Sequence, residues 1–197
     1  ARVKREHPSL RVSLEIETSP VLLERLAQGK LDILVARLFA EHDKSQLRYE
    51  ALVEEPISAM VRPGHPLLGM SGLTLRDLLS AGWIVPPAGS VLRHRFDLMF
   101  QEEGLAPPIN LIETSSLLFI TRMLQQSDMV AIVANDVARY YAAHGIVSVL
   151  PVAMNCQMDN FGVITRTDRL LSPAAQVMMR SLKAVCQEVY GKRLEPV

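Results

Sequence analysis

Val12-Ser13-Leu14-Glu15-Ile16-Glu17 alternates apolar and polar residues with a period of two, the pattern of a half-buried strand. Thr18-Ser19-Pro20 follows, where Ser19 suits an N-cap and Pro20 the first helical position. Val21, Leu22, Leu23, Leu26 and Ala27 recur at helical spacing, and Gly29 supplies the stop. Leu31-Asp32-Ile33-Leu34-Val35-Ala36 is then a nearly continuous apolar strand. Strand, helix and strand in that order predict a crossover unit, because parallel strands buried on both faces lose their alternation.

The alternation of elements continues. Tyr49 to Val61 reads as one long extended stretch interrupted by Pro56, and Arg62-Pro63-Gly64-His65-Pro66 is a dense turn signal. Leu73 to Leu79 predicts a short helix, and Trp83-Ile84-Val85 a short strand closed by Pro86-Pro87-Ala88-Gly89-Ser90. Leu92, Phe96, Met99 and Phe100 mark one face of the next helix, and Ile109 to Glu113 the next strand. Thr114-Ser115-Ser116 caps a helix carrying Leu117, Leu118, Ile120, Met123 and Leu124. Met129 to Ala134 is a buried strand, after which Asn135 caps another helix. Ile146 to Leu150 and Phe161 to Thr165 are strands. Ser172-Pro173 opens a last helix with Val177, Met178, Leu182, Val185 and Val189 inward. Strands alternating with helices throughout argue α/β layers around parallel sheets.

The 197 residues suffice for one to two folding units, with 49% hydrophobic content to bury. Twenty-one Lys plus Arg balance 21 Asp plus Glu, and the balance is local: residues 1–66 hold 10 of each sign, and residues 67–197 hold 11. A nucleic-acid reader replaces counterions with clustered Lys and Arg, so this chain by itself is a poor DNA or RNA binder. Cys156 and Cys186 are too few for a disulfide framework and fit a reducing compartment. No metal or cofactor is expected, since the sequence lacks CxxC, HExxH, P-loop, GxGxxG and GxSxG patterns, which also disfavours an enzyme.

One arrangement recurs. A strand ends, a hydroxyl or amide residue follows, and a helix begins: Thr18-Ser19, Gly89-Ser90, Thr114-Ser115-Ser116 and Asn135. In an open parallel sheet the carboxyl ends of strands meet the amino ends of helices along one edge. Helix amino ends offer free N–H groups and partial positive charge to an anion. Ordinary capping explains any one of these residues, whereas the set suggests a shared site. Arg37 ends a buried strand, where it either pairs with an anionic ligand in a fork or makes a structural ion pair. His65 reads as a turn residue, His94 with Arg93 and Arg95 as a solvated helix start, and Met123, Met178 and Met179 as core. Glu54 and Glu55 are adjacent on an extended stretch and point to opposite faces.

Several motifs occur in order: Arg5-Glu6-His7-Pro8, Leu26-Ala27-Gln28-Gly29-Lys30-Leu31-Asp32-Ile33, Glu55-Pro56, Arg62-Pro63-Gly64-His65-Pro66-Leu67, and Arg169-Leu170-Leu171-Ser172-Pro173-Ala174-Ala175. With them the chain resembles the effector-binding domain of LysR-type bacterial transcriptional regulators over almost its whole length. Arg37-Leu38, Pro86-Pro87-Ala88-Gly89-Ser90 and Ile112-Glu113-Thr114 look like the branch regulating aromatic-acid or sugar catabolism.

The resemblance implies an α/β fold of two Rossmann-like lobes around a cleft, similar to type 2 periplasmic binding proteins and joined by two crossing strands. Lobe I would comprise residues 1–53 and 162–197, and lobe II residues 54–161. The family's amino-terminal winged helix-turn-helix, and the first strand of lobe I, are not among these residues. Carried over, the ligand-binding set is Thr18, Ser19, Arg37, Phe39, Gly89, Ser90, Thr114 and Phe161. The implied partners are a small anionic or polar metabolite and a second copy of the chain, with a tetramer in the parent protein. DNA would be bound only through the missing domain, no membrane would be involved, and the location would be cytoplasmic. A periplasmic solute-binding protein and a small α/β enzyme are the alternatives; a secretory signal in the gene would favour the first of them, and metabolite turnover the second.

Overall fold

The structure is a computed structural model and describes residues 1–37, 45–154 and 160–191. Phe39 and Cys156 lie outside the described residues. The helices are α1 (Arg2–Glu6), α2 (Ser19–Ala27), α3 (Val91–Glu102), α4 (Leu117–Gln125), α5 (Asn135–Ala143) and α6 (Pro173–Tyr190). The strands are β1 (Leu34–Ala36), β2 (Leu47–Val53), β3 (Ile57–Val61), β4 (Trp83–Val85), β5 (Leu111–Glu113), β6 (Val130–Ala134), β7 (Ser148–Val149) and β8 (Phe161–Arg166). The chain divides into two compact units, residues 1–54 with 159–197, and residues 55–158.

The first unit holds a three-stranded sheet in the order β1-β8-β2. Both pairings are antiparallel, which corrects the expectation of a parallel crossover sheet here. The strand expected over Val12–Glu17 is not formed: these residues belong to no helix or strand, and their apolar positions face solvent, with Leu14 82% and Ile16 79% exposed. Beneath the sheet, Leu22, Leu23 and Leu26 of α2 pack with Leu34 and Ile164. The last helix is less covered than its pattern suggests. Ala175 and Cys186 are buried, whereas Val185 and Val189 are exposed.

The second unit holds a five-stranded mixed sheet in the order β5-β4-β6-β3-β7. β4 runs parallel to both β5 and β6, and β3 is antiparallel to β6 and β7. All of β4 is buried, so its triplet Trp83-Ile84-Val85 shows no alternation. On one side Trp83, Phe96 and Phe100 form an edge-to-face cluster with ring centroids 4.9 to 6.0 Å apart. The indole N–H of Trp83 donates to the Leu78 carbonyl at 3.1 Å, which satisfies the cluster's polar group. On the other side Ile84 packs with Ile120, Leu124, Ala131 and Val133. The extended stretch 49–61 divides into β2 and β3 around Glu54-Glu55-Pro56, since Pro56 has no N–H to give a ladder.

Candidate functional site

In the second unit, the parallel trio β5-β4-β6 brings three strand-to-helix junctions to one edge. The Thr114 N–H donates to the Val85 carbonyl at 2.9 Å, so the ends of β4 and β5 are tied together. Gly89 takes φ +82°, a left-handed turn open to glycine, and delivers Ser90 to the start of α3. The Ser90 hydroxyl accepts from the Arg93 N–H at 3.2 Å, and Ser116 accepts from Phe119 at 3.4 Å. Thr114 accepts from the Ser116 N–H at 3.1 Å. Each of these oxygens spends one lone pair on its local bond, so a ligand can still meet its O–H donor and its second lone pair. Asn135 does not cap its helix: its side-chain oxygen accepts from the Ser58 hydroxyl at 2.8 Å, and Ala134 holds the cap position.

Glu113 and Arg93 organise this edge; Arg93, expected at a solvated helix start, is half-buried and paired. The Arg93 Nε donates to both Asp97 oxygens at 3.2 Å, and its Nη1 donates to Glu113. The Arg93 guanidinium hydrogen-bonded to Glu113 holds that carboxyl below the usual range, with the Ala88 N–H adding to it. Glu113 thus grips both α3 and the loop that carries Gly89 and Ser90. The sequence signal was a charge at the end of a parallel strand, just before a hydroxyl run that opens a helix. Arg93 is balanced by two carboxylates, so this edge presents hydroxyls and N–H groups in place of an unbalanced cation.

In the first unit, Thr18 occupies the cap position of α2 but makes no side-chain cap bond, unlike Ser90, Ser116 and Ser172. Thr18 and Ser19 are both half-buried. The pairing of Ala36 with Gly162 sets Arg37 beside Phe161, two residues 124 apart in number. The Arg37 guanidinium carbon sits 5.8 Å from the centre of the Phe161 ring. Arg37 is the sole charged member of the predicted set.

Other candidates prove structural. His65 is 5% exposed, accepts from the Leu67 N–H at 3.1 Å through Nδ1, and meets the Asp128 carbonyl at 3.2 Å through Nε2. His94 is exposed at the start of α3. A cavity of about 140 Å³ by Gly29, Arg166 and Ser172, and one of about 440 Å³ by His65, Asp77 and Asn110, are lined by none of the predicted site residues. Among the described residues no three His, Cys, Asp or Glu side chains converge as metal ligands, and no helix is long and apolar enough to cross a membrane.

The sequence profile of the LysR substrate binding domain matches residues 1–187. The chain is 34% identical over 192 residues to the HTH-type transcriptional regulator GbpR of Azospirillum brasilense, covering 97% of this chain and 56% of that protein. It is 33% identical over 187 residues to the HTH-type transcriptional regulator GalR of Pseudomonas putida, covering 95% and 47%. The chain thus spans about half the length of the curated relatives it matches. Among solved structures, the CcmR regulatory domain of Synechocystis in complex with 2-PG superposes with a TM-score of 0.77 at 18% identity, over 94% of this chain and 88% of that one. The effector-binding domain of QuiR in complex with shikimate gives 0.72 at 17%, over 95% and 88%. The two-sheet α/β architecture is that of these regulatory domains, and the chain belongs to the LysR substrate-binding domain family.

Proposed function

We propose that this chain is the effector-sensing part of a transcriptional regulator and has no enzymatic role. The observation that carries this is the family match across residues 1–187. Relatives of this chain are named transcriptional regulators, and two similar solved domains hold small molecules, 2-PG and shikimate. The effector is a small polar or anionic metabolite. The candidate groups are those the sequence offers: Thr18, Ser19, Arg37, Phe39, Gly89, Ser90, Thr114 and Phe161. The hydroxyl-rich edge around Ser90 and the Arg37–Phe161 pair support that assignment. The domain dimerises, the parent protein is a cytoplasmic tetramer, and DNA is bound by a winged helix-turn-helix elsewhere in the parent.

Effector binding favours one of two arrangements of the oligomer, and a coupling of about 1–3 kcal/mol changes DNA affinity several-fold. A thermal-shift screen of metabolites tests this, because a ligand that binds only the folded state raises the melting temperature. With a hit in hand, Ser90→Asp is the informative variant. It keeps an acceptor for the α3 cap while removing the hydroxyl donor and adding a negative charge. We expect binding to be lost with the fold intact; wild-type affinity in Ser90→Asp removes Ser90 from the site.

A further inference from the structure

We propose that Glu113 is a positioning residue for the Ser90 hydroxyl, acting through Arg93. This rests on the assignment of Ser90 to the effector site. Ser90 stands between a turn and a helix. On the turn side its N–H donates to the Pro87 carbonyl at 3.2 Å, and the third residue of that turn, Gly89, takes φ +82° as a type II turn requires. On the helix side its hydroxyl oxygen accepts from the Arg93 N–H at 3.2 Å. That cap bond is at the long end of the range for N–H···O, so a small shift between turn and helix would lose it. The Arg93 side chain ties this first turn of α3 to the sheet. Its Nη1 donates to Glu113 at the end of β5, and its Nε donates to Asp97 one turn further along α3. Glu113 is itself held in place: it is in register with Val85 of β4, and the Thr114 N–H donates to the Val85 carbonyl at 2.9 Å.

Support therefore runs from the sheet through Glu113 and Arg93 to Ser90. A serine side chain has three staggered wells, and the cap bond selects one of them. The chosen well decides where the O–H donor and the second lone pair face a ligand. The Arg93 side chain is 16% exposed, so water competes weakly for its bonds. The Ala88 N–H also faces the Glu113 carboxylate and, with Arg93, favours its ionised form. α4 has the same kind of cap without this tether. Ser116 accepts from the Phe119 N–H at 3.4 Å, and Leu117-Leu118-Phe119 carries no charge to tie that first turn to the sheet. A carboxylate that only stabilised α3 would act on the helix as a whole. One that positions Ser90 acts on its rotamer and on what its hydroxyl binds.

The test uses the whole chain. In its first arm the Hα–Hβ couplings of Ser90 report its rotamer, with Ser116 as the internal reference. We expect the couplings of a single rotamer at Ser90 in the wild type. Glu113→Gln keeps the shape of the side chain and loses its charge, and it should average the Ser90 couplings while leaving those of Ser116 unchanged. An unchanged Ser90 rotamer, or equal changes at Ser90 and Ser116, overturns the proposal. Arg93→Gln breaks the same bond from the other side and carries the same test if the melting curve shows Glu113→Gln to be misfolded. The second arm uses inorganic phosphate, read by the amide resonances of Gly89 and Ser90. Glu113→Gln should weaken phosphate by about three- to tenfold, the size of one helix cap, and should have no effect in a Ser90→Ala background. Equal weakening in both backgrounds marks a merely structural role and overturns the proposal. Phosphate that leaves both wild-type amides unmoved takes the anion site away from this edge, while the couplings still decide whether Glu113 positions the hydroxyl.

Discussion

At Gly29 the backbone takes φ +71°, and an added Cβ would lie 3.1 Å from Arg166 Nη1. That nitrogen donates to the Ala27 carbonyl at 2.9 Å, so the glycine both ends α2 and admits the arginine that caps it. The reason for glycine is different at Gly162. A Cβ there would meet the Glu50 carbonyl oxygen and the Tyr49 ring at 2.5 Å, because Tyr49 crosses the neighbouring strand at this position. Gly162→Ala should cost about 1–3 kcal/mol, the usual range for overpacking a tight site. Urea unfolding checks this, and an unchanged midpoint would mean that both the Tyr49 ring and the β2 backbone at Glu50 shift without cost. Acid behaviour is set at the same scale. The Arg166 guanidinium hydrogen-bonded to Asp168, and the Thr74 hydroxyl and N–H bonded to Asp77, hold those carboxyls below the usual range, as Arg93 does for Glu113. A carboxyl depressed in the folded state contributes stability above its unfolded value of about 4, and that stability is lost as pH falls through the folded value. The stability difference between wild type and Glu113→Gln should therefore be widest near neutrality and close below about pH 4. A difference that stays constant from pH 7 to pH 3 in denaturant titrations would contradict it.

Among elements, the helix starts separate into two kinds. α3, α4 and α6 receive a serine oxygen at the cap, and α2 receives none from Thr18. Ser172→Ala should cost about 1 kcal/mol by removing a made cap, whereas Thr18→Ala should cost only a few tenths. Equal losses in thermal unfolding would show that Thr18 caps in solution. Hydroxyl-to-helix junctions were legible in the sequence because capping is local chemistry. The role of Asn135 was not, because its partner Ser58 is 77 positions away on β3. The apolar alternation of Val12 to Ile16 predicted a strand that is not formed, because alternation specifies a face and not a partner strand.

For the molecule as a whole, net charge zero governs what this chain can bind. With no excess of Lys and Arg to release counterions, the 197-residue chain should not retard duplex DNA at physiological salt. Salt-sensitive retardation in a gel assay would locate DNA contacts in this domain. Dimerisation is the second expectation at this scale. Sedimentation velocity at tens of micromolar should show a dimer, and a monomer at every concentration would count against the proposed assembly.

The sequence by itself determined the α/β class, most element positions and the family, because periodicity, turn residues and short motifs are local and survive without the fold. It also named Arg37 and Phe161 as candidates, as separate residues. Tertiary structure decided which strands pair and in which direction. It made the first unit's described sheet antiparallel where the order of elements suggested a parallel crossover. It also decided that Arg37 lies over Phe161, that Phe161 meets Tyr190, and that Glu113 binds both Arg93 and the Ala88 loop. Those contacts join residues tens to more than a hundred positions apart, and strand register sets them through hydrogen bonding and packing that no local pattern encodes.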